Sequence, residues 1–141
     1  MIVTRHHDFC AAHRIVGHPG KCRHLHGHNY RVYLSCEGDV KGLGMVIDFG
    51  IMKASLCQWI DITWDHKTIL WDEDPIVGDF GKMIENHTTI GGLATVPFNP
   101  TAENMAEYLL NVVGPMVLPP DIKLVEVVVE ETRKCSATAR I

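Results

Sequence analysis

The sequence lacks the features that mark membrane, secreted and nucleic-acid-binding proteins. No stretch of its 141 residues approaches the roughly 18–20 consecutive apolar residues that a membrane-spanning helix requires. No apolar run with a basic flank stands at the N-terminus, so no signal peptide is predicted. The formal net charge of −4 predicts no basic surface for a nucleic acid. We therefore expect neither a membrane nor a nucleic acid as a partner.

Cysteine usage argues against a fold held together by disulfides. The chain has five cysteines, an odd number, and their spacings are irregular. Internal repeats and low-complexity tracts are also lacking. Hydrophobic residues make up 46% and charged residues 21% of the chain, which is ordinary for a globular protein with a sizeable core. These observations predict a cytoplasmic protein with free thiols, and one domain over residues 1–141.

Two strands are predicted near the N-terminus, on either side of a loop rich in glycine and proline. Residues 2–14 form the first strand. Residues 26–37 alternate between an apolar and a polar face, which is typical of a half-buried strand. If the second strand folds back antiparallel on the first, the end of one strand lies opposite the start of the other. His13 would then face His26 and His28.

The segment 22–28 concentrates side chains that bind metals. His26 and His28 are two residues apart, so on an extended strand both project from the same face and can share one metal ion. Together with His13 they would form a set of three neutral histidines, which is typical of a catalytic zinc site with one position open to water or substrate. Cys22 is either a reactive thiol beside the metal or its fourth ligand, and the sequence leaves both assignments open.

Two helices and two further strands complete the predicted fold. Asp48 and Thr101 each stand as an N-cap before an apolar stripe of helical spacing. Strands are predicted over 122–132 and 135–141. Residues 72–98 contain many glycines and prolines, and they predict a long connection that carries short elements or acts as a flap. The order of the predicted elements, two strands, a helix, a long connection, a helix and two strands, indicates an α+β fold. Its antiparallel four-stranded sheet would be covered on one face by the two helices.

Three polar side chains outside the 22–28 segment are weaker candidates. Asp65 next to His66 is a possible proton carrier in which the carboxylate orients the imidazole, although most such pairs are solvated surface residues. Glu131 continues a strand face of valines, and a carboxylate is costly to bury there unless a polar group meets it. Glu131 therefore either reaches solvent at the end of the strand or receives hydrogen bonds from a bound ligand.

Six short motifs occur in an order that is typical of one enzyme family. They are Phe9-Cys10-Ala11-Ala12-His13-Arg14, Cys22-x-x-x-His26-Gly27-His28-Asn29-Tyr30, Val46-Ile47-Asp48-Phe49, Asp65-His66, Asn99-Pro100-Thr101-Ala102-Glu103-Asn104 and Glu131-Thr132. Through them, nearly the whole chain resembles the 6-pyruvoyl-tetrahydropterin synthase/6-carboxy-tetrahydropterin synthase family. The short spacing between Cys22 and His26 is similar to that of the 6-carboxy enzymes of queuosine (7-deazaguanine) biosynthesis, because the 6-pyruvoyl enzymes usually have a longer insert there.

The resemblance implies a role for each candidate residue. The zinc ligands would be His13, His26 and His28. The catalytic residues would be Cys22 as the thiol, with Asp65 and His66 as its partner proton relay. The residues at the pterin ring would be Glu131, which holds it, with Thr101 and Glu103 close to the pocket.

The resemblance also implies an assembly and a reaction. The fold would be the tunnelling fold (T-fold), in which subunits form an oligomeric barrel with sites between them, commonly a hexamer built as a dimer of trimers. The substrate would be 7,8-dihydroneopterin triphosphate, and the products 6-carboxy-5,6,7,8-tetrahydropterin, acetaldehyde and triphosphate. Two alternatives remain open: a 6-pyruvoyl-tetrahydropterin synthase or related dihydroneopterin-processing lyase, and a non-catalytic zinc-binding module.

Overall fold

The structure is a computed structural model that describes all 141 residues. Six strands form one mixed sheet, which organises the molecule. The strands are Ile2–His13 (β1), His26–Glu37 (β2), Lys67–Trp71 (β3), Gly92–Val96 (β4), Lys123–Thr132 (β5) and Cys135–Arg140 (β6). Within the sheet their order is β4-β3-β1-β2-β5-β6. The predicted α+β class is confirmed. The prediction of four strands is wrong, because two short strands follow the first long helix.

The antiparallel half of the sheet agrees with the prediction. β1 pairs with β2 in a register that places His13 opposite His26 and Ala11 opposite His28. β2 then pairs with β5, and β5 pairs with β6, again antiparallel. The predicted hairpin pairing of the first two strands is therefore confirmed. It brings the three histidines to one end of the sheet.

The other half of the sheet is parallel and corrects the prediction of an all-antiparallel sheet. β3 pairs parallel with the end of β1, and β4 pairs parallel with β3. The helix Val77–Asn86 lies between β3 and β4 in the chain. Residues 72–98 therefore carry short elements, which is one of the two predicted alternatives.

An ion pair ties this segment to the end of β1. Asp74 is 4% exposed, and both of its carboxylate oxygens accept hydrogen bonds from the Arg14 guanidinium, at 2.6 and 2.7 Å. Asp74 Oδ1 also accepts a hydrogen bond from the Ile76 backbone N–H at 2.9 Å. Such a bidentate arrangement fixes the relative positions of the two chain segments.

Two long helices cover one face of the sheet, the first over 49–63 and the second over 102–117. Both begin as predicted: the Asp48 carboxylate and the Thr101 hydroxyl each accept a hydrogen bond from a backbone N–H in the first turn, at 2.6 and 3.2 Å. None of the helices combines the length and the apolar character needed to cross a bilayer. The core between helices and sheet contains the buried side chains Tyr30, Val32, Leu34, Leu56, Ile60, Met105, Leu109, Val127 and Val129.

Candidate active site

Three histidines converge at the end of the sheet. His13 ends β1, whereas His26 and His28 begin β2, and one ring nitrogen of each lies within 4.8 Å of the other two. His13 Nε2 lies 3.2 Å from His26 Nε2. Two nitrogens of a tetrahedral zinc site with Zn–N bonds of about 2.0–2.1 Å are about 3.3 Å apart. The spacing of these two nitrogens therefore fits a shared zinc ion.

Backbone carbonyls fix the protonated nitrogen of two of these rings. His13 Nδ1 donates to the Pro100 carbonyl at 2.7 Å, and His26 Nδ1 donates to the His24 carbonyl at 2.7 Å. Because a carbonyl oxygen accepts and cannot donate, each Nδ1 carries the proton and each facing Nε2 carries a lone pair. Histidines that bind metals are typically oriented by a hydrogen bond of this kind.

Burial favours the neutral, metal-binding form of His13 and His28. His13 is 1% exposed, and desolvation lowers its pKa to about 4, against the opposing effect of its hydrogen bond to Pro100. Desolvation also lowers the pKa of His28. The buried His28 Nε2 has no hydrogen-bond partner, which is costly unless another group binds it. A cation between the three rings would satisfy this nitrogen, so the residues present fit zinc.

A cavity of about 290 Å³ adjoins the histidines. Its volume lies near the lower end of the roughly 300–1,000 Å³ that small-molecule sites occupy. Cys22 reaches it from the short helical turn Lys21–Arg23, and its thiol is not a member of the converging ligand group. The predicted site residues that line this cavity are His13, Cys22, Thr101, Glu103 and Glu131.

The Glu131 carboxylate lies between the histidines and the cavity. Glu131 Oε1 is 3.5 Å from His13 Nε2 and 3.7 Å from His28 Nε2. The side chain is 27% exposed and contributes to the cavity wall. This position favours the alternative in which the carboxylate meets a ligand over the one in which it reaches bulk solvent.

Asp65 and His66 lie on the sheet face opposite the three histidines. His66 Nδ1 is 2.9 Å from Asp65 Oδ1, and this oxygen also accepts a hydrogen bond from the Cys10 backbone N–H at 3.0 Å. Desolvation raises the pKa of Asp65, but the hydrogen bonds from Cys10 and His66 outweigh it, so the pKa lies below its ordinary value. The pair lines a cavity with Asn29 and does not line the one that contains Cys22. A single chain therefore does not bring Cys22 and His66 into one cavity.

Three residues in these sites are not among the predicted site residues. His18 and Cys135 line the cavity that contains Cys22. Cys10 lies beside Asp65 and His66. Cys135 reaches the cavity from β6, which forms a hairpin with the strand that carries Glu131. Cys10 meets the Asp65–His66 turn through the pairing of β1 with β3, a contact between distant parts of the chain.

Sequence comparison places the chain among pterin synthases. The family model described as 6-pyruvoyl tetrahydropterin synthase matches residues 2–141. A Rickettsia typhi protein named 6-carboxy-5,6,7,8-tetrahydropterin synthase is 44% identical over 113 residues, which cover 79% of each chain. A Halobacterium salinarum protein named probable 6-carboxy-5,6,7,8-tetrahydropterin synthase is 32% identical over 127 residues, which cover 90% of this chain and 78% of that one.

Solved structures show the same fold over the whole chain. The Caenorhabditis elegans 6-pyruvoyl tetrahydropterin synthase superposes with a TM-score of 0.69 at 27% identity, over 100% of this chain and 95% of that one. An uncharacterised protein of Wolinella succinogenes superposes with a TM-score of 0.81 at 24% identity, over 99% and 97% of the two chains. The predicted tunnelling fold is thereby confirmed for the single chain. From the match over residues 2–141 and the identity to the curated relatives, the chain belongs to the 6-pyruvoyl tetrahydropterin synthase family.

Proposed function

We propose that the chain is a zinc-dependent 6-carboxy-5,6,7,8-tetrahydropterin synthase of queuosine (7-deazaguanine) biosynthesis. It would convert 7,8-dihydroneopterin triphosphate and one water molecule to 6-carboxy-5,6,7,8-tetrahydropterin, acetaldehyde and triphosphate. The observation that carries the proposal is the convergence of three histidine nitrogens beside a cavity that also contains the Cys22 thiol and the Glu131 carboxylate. The names of the Rickettsia typhi and Halobacterium salinarum relatives support the same choice of reaction.

The three histidines would hold the zinc ion. When bound there, zinc supplies Lewis-acid chemistry that acidifies hydroxyl groups of a substrate. His13 and His26 present Nε2 lone pairs because their Nδ1 atoms donate to backbone carbonyls. The burial of His13 lowers its pKa to about 4, so the imidazole is neutral near pH 7.

Glu131 would hold the pterin ring. A carboxylate accepts two parallel hydrogen bonds, and a pterin offers two adjacent donors, its exocyclic amine and a ring N–H. Glu131 faces the cavity next to the histidine group, so a ring bound there would have its side chain near the metal. Thr101 and Glu103 line the same cavity and would contact the ring or its substituent.

Cys22, Asp65 and His66 would move protons. The Cys22 thiolate would accept a proton from the substrate side chain, and His66, oriented by Asp65, would carry a second proton. Because Cys22 and His66 line different cavities of one chain, we propose that Cys22 of one copy works with His66 of another. The assembly would be a homo-oligomer, a hexamer built as a dimer of trimers. Alternate residues of β1 are exposed from Ile2 to Cys10, so one face of the sheet is free to pack against another copy.

The proposal also assigns the enzyme to the cytoplasm. All five cysteines are free in the structure, and Cys10 and Cys135 are exposed. Exposed free thiols persist in compartments that are kept reducing.

Product analysis tests the proposed reaction. Purified, zinc-loaded protein is incubated with 7,8-dihydroneopterin triphosphate, the pterin is identified by mass spectrometry, and acetaldehyde is assayed separately. We expect 6-carboxy-5,6,7,8-tetrahydropterin and acetaldehyde in equal amounts. A 6-pyruvoyl product without acetaldehyde would contradict the proposal and support the 6-pyruvoyl synthase. Zinc binding without any turnover would support the non-catalytic module.

A further inference from the structure

A second group of metal-ligating side chains lies on the sheet face opposite the three histidines. Its members are Cys10, Asp65 and His66, and one ligand atom of each lies within 4.8 Å of the other two. Cys10 stands opposite Asn29 in the register of β1 and β2, and its Sγ donates to Asn29 Oδ1 at 3.1 Å. A sulfur, an imidazole nitrogen, a carboxylate oxygen and an amide oxygen therefore meet in one place.

Backbone hydrogen bonds hold this group together before any ligand arrives. The His66 N–H donates to the Cys10 carbonyl at 2.7 Å, and the Cys10 N–H donates to Asp65 Oδ1 at 3.0 Å. His66 has a φ of +57°, a left-handed conformation that non-glycine residues rarely adopt and that is common at functional sites. The position of the imidazole is therefore imposed by the fold.

The donor set selects the class of ion. Thiolate and imidazole ligands suit zinc and its neighbours in the transition series, whereas magnesium and calcium prefer oxygen ligands alone. Within a single chain the site is open to ions from solvent, because the His66 side chain is 79% exposed and Cys10 is exposed. A proton relay of Asp65 and His66 needs no thiol, so the proposed reaction leaves Cys10 without a role.

We propose that Cys10, Asp65 and His66, with the Asn29 amide oxygen, form a second divalent transition-metal site that accepts zinc or cobalt. Cys10 binds as the thiolate and releases its proton to solvent, so one proton leaves for each ion bound. A metal ion bound at this site is coordinated by the lone pair of a His66 ring nitrogen. If His66 carries protons as proposed above, zinc bound here inhibits the enzyme. That consequence rests on the proposed function, whereas metal binding does not.

Cobalt titration of the full chain separates the two sites. Cobalt bound to a thiolate gives a near-ultraviolet charge-transfer band, and the three-histidine group contains no sulfur. We expect two cobalt ions per chain by equilibrium dialysis, together with this band. Cys10→Ser should bind one ion and lose the band, while the matched variant Cys22→Ser should keep two ions and the band.

Two further variants show which side chains bind the cobalt ion that gives the band. His66→Asn keeps a residue that tolerates a positive φ and removes the imidazole, so it should weaken the band without unfolding the turn. His26→Ala should lose one cobalt ion and keep the band. One ion per chain in the parent protein, or a band that persists in Cys10→Ser, would overturn the second site. Loss of the band in Cys22→Ser alone would overturn it as well and would assign the sulfur to the histidine site.

Discussion

At the scale of single residues, the proposed role of Glu131 in substrate binding can be tested separately from metal binding. Its carboxylate is 3.5 Å from His13 Nε2 and faces the cavity. Glu131→Gln keeps the shape of the side chain but removes its charge and one hydrogen-bond acceptor. Losing a hydrogen bond to a charged group costs about 1.5–3 kcal/mol, so we expect KM to rise roughly 10- to 100-fold. Zinc content should stay unchanged.

Steady-state kinetics and metal analysis of the purified variant check this expectation. Glu107→Gln is the matched control, because this exposed carboxylate lines neither the cavity beside the histidines nor the one that contains Asp65 and His66. An unchanged KM in Glu131→Gln would show that the carboxylate does not hold the substrate. A loss of zinc would identify it as a ligand instead.

The sequence predicts those site residues whose geometry is local. His26 and His28 share a face because they are two residues apart on a strand, and the hairpin brings His13 opposite them. Cys10 is different, because it meets the Asp65–His66 turn only through the pairing of β1 with the distant β3. The separation of Cys22 from His66 within one chain has the same origin, since the pairing of β3 with β1 places the preceding Asp65–His66 turn beside Cys10.

At the scale of elements, the Arg14–Asp74 pair connects β1 to the segment over 72–98. Asp74→Asn removes the charge and one of the two acceptor oxygens from a buried, bidentate partner, and leaves Arg14 without a charged partner. Breaking such a buried pair costs on the order of 3 kcal/mol, and we expect the free energy of unfolding in urea to fall by about that amount. Asp121→Asn, which breaks the exposed pair with Lys41, is the control and should change stability little. Equal effects of the two variants would contradict the structural role of Asp74.

The same pair predicts a pH dependence of stability. The Arg14 hydrogen bonds hold the pKa of Asp74 below its ordinary value. The stabilisation by the Arg14–Asp74 pair is therefore fully present above the ordinary carboxyl pKa of about 3.9. It is lost as the pH falls through the lower pKa that Asp74 has in the folded state. Measured from pH 7 to pH 2, the unfolding free energy of the parent should approach that of Asp74→Asn at the acidic end. A constant difference over this range would exclude Asp74 as the titrating group.

The elements that the sequence does not predict are short, and few local sequence features indicate them. β3 and β4 have five residues each and pair parallel with strands far away in the chain, so no hairpin turn indicates them. The helix Val77–Asn86 contains two glycines and begins without a side-chain cap. The long helices are predicted because Asp48 and Thr101 cap apolar stripes of helical spacing.

At the scale of the whole molecule, the division of the candidate residues between two cavities predicts sites shared by two copies. Cys22→Ala and His66→Asn should each be inactive when expressed alone. When the two variants are coexpressed with different tags and copurified, some sites receive an intact Cys22 from one copy and an intact His66 from the other. We expect measurable turnover in these mixed oligomers. Mixed oligomers that form but remain inactive would show that each chain works alone.

The order of the motifs along the chain indicates the family and the fold of the single chain, and the comparisons confirm both. The hexamer stays a prediction, since it follows from the resemblance and not from any pattern of residues. Native mass spectrometry of the zinc-loaded protein measures the number of copies directly. A monomer under conditions of full turnover would contradict the shared-site interpretation.

The central claim is that three imidazoles hold a metal ion and that the neighbouring thiol stays free to react. Zinc content after dialysis and turnover, measured together on Cys22→Ala and His26→Ala, test it most directly. We predict that Cys22→Ala keeps all of its zinc and loses turnover, whereas His26→Ala loses one equivalent of zinc and turnover together. Zinc lost from Cys22→Ala, or full activity retained by His26→Ala, would contradict the claim.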